Sequence, residues 1–141
     1  MQRAINTTYA RDSKLFEFKA AEWAIAHRLA VYIEQEIPGW NVDCEYNRQG
    51  EKGDAKTNAQ TGRKTDNTRP DIILHHRGQS SPEHNFLLVE LKFNEIADDQ
   101  KVMEFTRPPG GSRKFQYRYG LALSFLPQLK LRWYENGEAI A

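Results

Sequence analysis

The stretch Phe86-Leu87-Leu88-Val89-Glu90-Leu91-Lys92-Phe93 decides the fold. Successive strand residues point to opposite faces, so Leu87, Val89, Leu91 and Phe93 share one apolar face while Glu90 and Lys92 stand side by side on the other. Upstream, Asp71 to Arg77 is a second apolar run of strand length, and Gly78-Gln79-Ser80-Ser81-Pro82-Glu83-His84-Asn85 between the two is turn chemistry. The runs are expected to pair as an antiparallel hairpin. Directly opposed residues point the same way, so Asp71 shares the face of Glu90 and Lys92 only if the paired numbers sum to an odd value, as in 71 with 90 or 71 with 92.

Outward from the hairpin, Asp12 to about Glu36 carries Leu15, Phe18, Ile25, Leu29 and Ile33 at helical spacing, closed by Pro38-Gly39, which predicts one long amphipathic helix. Glu22 falls within its apolar stripe. A carboxylate there costs several kcal/mol unless paired or bound to a metal, so it is read either as a buried ion pair with an arginine or as a ligand. Trp40 to Tyr46 alternates as a half-buried strand, with Asp43 and Glu45 on one face. Ile96 to Phe105, with Asp98 and Asp99 near its start and Pro108-Pro109-Gly110-Gly111 behind it, predicts a second helix. Its Asp98-Asp99-Gln100-Lys101 cluster is more simply a solvated first turn than a cap over a metal. Tyr117 to Phe125 and Leu129 to Tyr134 predict two further strands. The resulting order predicts an α/β fold with a mixed central sheet flanked by helices.

The 141 residues, 39% hydrophobic and 11% aromatic, suffice for one core, so residues 1–141 are expected to form a single domain. Twenty Lys plus Arg against nineteen Asp plus Glu leave a net charge of +1, which excludes a polybasic coating mode and makes any anion-binding surface local. The lone Cys44 forms no intrachain disulfide, and no zinc-ribbon spacing is present. With no long apolar run and no apolar leader, the chain is expected in a reducing cytoplasm, away from membranes.

Two carboxylates beside a lysine on a pleated surface supply the oxygen ligands that Mg²⁺ takes, with Mn²⁺ as substitute. The plainer alternatives are a surface ion pair for Glu90 and Lys92 and a turn-starting aspartate for Asp71. Glu22, Pro70-Asp71 and Glu90-Leu91-Lys92, nineteen residues after Asp71, together resemble the PD-(D/E)XK nuclease superfamily in its small bacterial and phage-type members. Arg69-Pro70-Asp71-Ile72-Ile73-Leu74-His75 and Tyr119-Gly120-Leu121-Ala122-Leu123 add to a likeness that covers roughly residues 15 to 135. The resemblance implies a restriction-endonuclease-like αβββαβ core and a Mg²⁺-dependent deoxyribonuclease. It implies Asp71, Glu90 and the main-chain carbonyl of Leu91 as metal ligands, and Glu22 as completing the site or supporting it. Lys92 would then orient the attacking water and stabilise the transition state.

Arg48 to Arg69 holds almost no large apolar residue and predicts a mobile loop. Its Arg48, Lys52, Lys56, Arg63, Lys64 and Arg69 outnumber Glu51, Asp54 and Asp66 by six to three, which suits phosphate contacts as well as it suits a merely soluble insertion. Arg113 and Lys114, between Arg107 and Arg118, form a second basic segment interleaved with Phe115, Tyr117 and Tyr119. No helix-turn-helix or zinc-finger pattern supports intrinsic sequence recognition. DNA is the expected partner, and a homodimer is the expected arrangement because one domain of this size covers little duplex. Two alternatives stand beside this reading: a Holliday-junction resolvase of the same fold, and a catalytically silent module that binds nucleic acid or protein. His75 has the parity of Asp71, but a satisfied strand histidine is its simpler reading.

Overall fold

The computed structural model describes residues 1–18, 22–45, 69–94, 96–111 and 114–140. In chain order the elements are α1 (Gln2–Arg11), α2 (Ser13–Glu17), α3 (Glu22–Glu36), β1 (Asn41–Cys44), β2 (Ile72–His75), β3 (Asn85–Lys92), α4 (Asp99–Thr106), β4 (Tyr119–Ser124), β5 (Lys130–Glu135) and β6 (Glu138–Ile140). The strands form one six-stranded sheet whose spatial order is the chain order. Among the described strands only β3 and β4 run parallel. Parallel neighbours need a crossover connection, and α4 lies within it.

The alternation in β3 divides the core. Leu87, Val89, Leu91 and Phe93 meet Ile72, Leu74, Leu121 and Leu123 under the helices, packed on Ile5 of α1 and on Ile25, Leu29 and Ile33 of α3. Leu88, Ile73 and Ala122 face the other way, onto Val102 and Phe105 of α4 together with Phe115 and Tyr117. Helices therefore cover both faces. The mixed sheet flanked by helices is as expected, and among the described residues no helix is long and apolar enough to cross a membrane.

Three elements differ from expectation. The single helix over 12–36 is instead α2 and α3. Asp12 explains the break: Arg28 Nε lies 3.3 Å from its Oδ1, and the Tyr32 hydroxyl donates to its Oδ2. In one straight helix residues 12 and 28 would stand about 24 Å apart at ~1.5 Å per residue, so this contact requires the chain to turn back. Phe18 consequently leaves the apolar stripe and is 71% exposed. Second, α1 has no counterpart in the expected order. It buries only Ala4, Ile5 and Thr8, and the Thr8 hydroxyl donates back to Ala4 O at 2.9 Å, so little apolar periodicity marks it. Third, β6 extends the sheet through an Asn136-Gly137 hairpin whose φ angles of 53° and 80° suit the two-residue turn favoured between twisted strands.

At Gly120, β4 passes directly beneath α4. A Cβ there would overlap Val102 Cγ1 and lie 2.9 Å from Thr106 Cγ2. Gly120→Ala should therefore destabilise the fold by about 1–3 kcal/mol, measured by urea denaturation. An unchanged midpoint would mean that α4 packs less closely than this.

Candidate active site

The β2–β3 register pairs Ile72 with Val89 and Ile73 with Leu88. Both pairs sum to 161, so one further step sets Asp71 opposite Glu90 and on the same face. The side chains bear this out. Asp71 N–H donates to Glu90 Oε1 at 3.3 Å, and Asp71 Oδ2 accepts from Leu91 N–H at 2.8 Å. At the end of β3, Glu22 in the first turn of α3 accepts from Phe93 N–H at 2.9 Å through Oε2 and lies 3.4 Å from Lys92 Nζ through Oε1. Glu22, Asp71, Glu90 and Lys92 thus gather at one end of the central strand. The Glu22 partner is a lysine and not the arginine weighed above, and its side chain is 40% exposed, so it heads the apolar stripe of α3 without being buried in it.

A second ammonium group joins them. Lys101 Nζ sits 2.8 Å from Glu90 Oε1 and donates to Arg69 O at 2.7 Å. Of the cluster at the start of α4, it alone turns into the site. Asp98 caps the helix by accepting from Lys101 N–H at 3.1 Å, and Asp99 pairs with Arg132 Nε at 3.0 Å. Sequence reasoning gave Lys101 no role of its own. A cation in the first turn of a helix opposes the macrodipole, and that mismatch was the available signal.

Burial dominates the electrostatics. It pushes the Glu90 carboxyl up to about 8, helped by neighbouring Asp71 and opposed by Lys101. Asp71 is also raised, first by burial and then by the Glu22 charge, against the Leu91 amide, Lys101 and Lys92. Burial keeps both acids raised although Lys101 lies against Glu90 and both ammonium groups act on Asp71. The pair's donors are hard oxygens, the kind that Mg²⁺ or Mn²⁺ takes. Among the described residues no three His, Cys, Asp or Glu side chains form a ready-made metal cluster.

The other candidates lie elsewhere. Asp43 is committed to Arg77, at 2.6 and 2.8 Å, and to His75 Nε2 at 2.7 Å. Burial acts to raise its pKa, but these partners overcome it and hold the carboxyl low. His75 is buried in that pair. Glu45 joins the site through its backbone, its N–H donating to Asp71 O at 3.2 Å. Arg69 adjoins the site through its carbonyl. Lys114 is exposed near the opposite end of the sheet, where Gln116 N–H donates to Ser80 O and Arg118 N–H to Asn85 O. Asn85 and Glu90 are five steps apart along β3, about 17 Å of strand at ~3.3 Å per residue. Phe115 and Tyr117 are buried against Phe105 and are core residues. Arg48, Lys52, Lys56, Arg63, Lys64 and Arg113, and with them the loop expected over 48–69 apart from Arg69, fall outside the described residues.

No family model, curated protein or solved structure matches the chain.

Proposed function

We propose that the chain is a metal-dependent nuclease that hydrolyses phosphodiester bonds of DNA through Asp71, Glu90 and Lys92, with Glu22 in support. The observation that carries this reading is the Asp71–Glu90 opposition at the end of β3, with Lys92 two residues on. From α3 onward the elements also run helix, three strands, helix, strand, the order of the PD-(D/E)XK core. Asp71 and Glu90 would hold Mg²⁺. The N–H and C=O of one strand residue point to the same neighbour, so the Leu91 carbonyl shares the side of its Asp71-bonded amide and is a further candidate ligand. When bound, the cation supplies charge neutralisation at the phosphate and acidifies a bound water. Lys92, held by Glu22, orients the attacking water and stabilises negative charge on the transferring phosphate. Asp71, by gripping the Leu91 amide, fixes the strand end from which Lys92 projects.

Lys101 favours a second reading, a binding module without catalysis, because its ammonium group already occupies the carboxylate that a cation would use. Incubation with supercoiled, linear, four-way-junction and single-stranded DNA, and with RNA, in Mg²⁺ or in EDTA, separates the readings. Mg²⁺-dependent cleavage supports the nuclease. Binding without cleavage supports the module, and Lys101→Ala should then weaken the fold without creating activity. Preference for the junction over linear duplex would make it a resolvase.

A further inference from the structure

At the turn of the β2–β3 hairpin, remote from the carboxylates, two imidazoles face each other. His76 Nδ1 lies 3.0 Å from His84 Nδ1, and the backbone pins the two residues together, His76 N–H donating to His84 O at 2.7 Å. His76 Nε2 donates to Gly39 O at 3.1 Å. That bond assigns the ring proton to Nε2 and leaves His76 Nδ1 as the acceptor of a hydrogen bond from His84 Nδ1–H. The Trp40 ring stacks on His76 with centroids 4.0 Å apart and planes 15° apart, which fixes the orientation of the imidazole. A ring whose second nitrogen is held by a backbone carbonyl is the arrangement found around metal-ligating histidines.

The 3.0 Å spacing is a hydrogen bond between the rings, which ligation of a common ion would replace with the least movement if the ion accepts the two nitrogens near a right angle. Two nitrogens about 2.0–2.1 Å from a common ion and separated as these are subtend roughly 95° at it, whereas a tetrahedral ion needs them about 3.4 Å apart. An angle near 90° is the edge of a square-planar or tetragonal complex, which Cu(II) and Ni(II) adopt. We infer that His76 and His84 form a two-imidazole site for a tetragonal transition-metal ion, Cu(II) foremost, with water in the remaining positions. Both rings are partly exposed, so those positions are open to solvent. Ligation needs neutral rings and no net loss of protons, because the Nδ1 proton of His84 moves to its Nε2 by exchange with water. Glu83, whose carboxylate interacts with His84, adds negative potential at the entrance. His75 takes no part, being bonded to Asp43.

The test is titration of the untagged full chain with CuCl₂ and, separately, ZnCl₂, followed by Cu(II) electron paramagnetic resonance and tryptophan fluorescence. The expected result is one Cu(II) per chain with hyperfine coupling to two imidazole nitrogens, quenched fluorescence, and weaker Zn(II) binding. His84→Gln keeps an N–H donor for His76 Nδ1 and so preserves the turn, yet should weaken Cu(II) at least about tenfold, while His27→Gln should leave it unchanged. His76→Gln should act as His84→Gln does. Absence of Cu(II) binding, oxygen-only coordination, unchanged affinity in both glutamine variants, or a preference for Zn(II) would overturn the site.

Discussion

Lys92→Ala should lower Mg²⁺-dependent cleavage of supercoiled DNA by about 10²–10³-fold, the usual loss when one donor to a developing negative charge is removed. Lys92 is the direct probe of the proposed chemistry because its ammonium group is the one assigned to the attacking water. Its contact with Glu22 is 3.4 Å long, and both side chains are 40% exposed, so the pair is worth at most about 1 kcal/mol. Thermal melting of the variant beside the parent separates lost chemistry from lost fold. Asp71→Ala should remove both cleavage and Mn²⁺ binding, but it also frees the Leu91 amide and destabilises the strand end. Activity that survives EDTA, or a Lys92→Ala variant as fast as the parent, would sink the nuclease reading while leaving the fold intact.

Stability should fall as the pH rises from 5 to 9, by an amount on the order of a few kcal/mol. The sign follows from Glu90, which holds its proton up to about 8 when folded against an ordinary value of 4.5. Between those values the folded chain binds more protons than the unfolded one. The stabilisation is complete below the lower value and is lost as the pH passes through the upper one. Asp71 shifts in the same direction. Glu90→Gln removes the larger titration and leaves that of Asp71, so its urea midpoint should decline less than the parent's over this range and exceed it at pH 9. Mn²⁺ should oppose the parent's decline, since the metal takes the deprotonated carboxylate and its binding near neutrality should release a proton. Urea denaturation at pH 5, 7 and 9, with and without Mn²⁺, reads all of this. Parent stability that climbs over the same range would mean that Glu90 is already ionised in the folded chain.

The hairpin was legible because period-two alternation and a turn rich in Gly, Ser and Pro mark two strands, and Asp71 opposite Glu90 is one of the odd-sum pairings that would set it on the face of Glu90. Glu22 was legible as a carboxylate where the helical period calls for a hydrophobe. Lys101 was not, because helical periodicity fixes which residues share a face but not how that face is rotated above the sheet. The turn-back between α2 and α3 was hidden for a related reason. It depends on Asp12 meeting Arg28 and Tyr32, a tertiary contact that local spacing does not encode. By contrast β6 was announced by Asn136-Gly137, a strong short-range hairpin signal, and only its brevity concealed it.

Cys44 and Ile72 are directly paired across β1 and β2, and Glu45 N–H bonds to Asp71 O. Glu45 and Arg69, the described residues on either side of 46–68, therefore both stand beside Asp71. Changes of length between two such fixed ends add only slowly to closure entropy, so on the nuclease reading proposed above this stretch is where new sequence can be inserted while Asp71 and Glu90 stay in register.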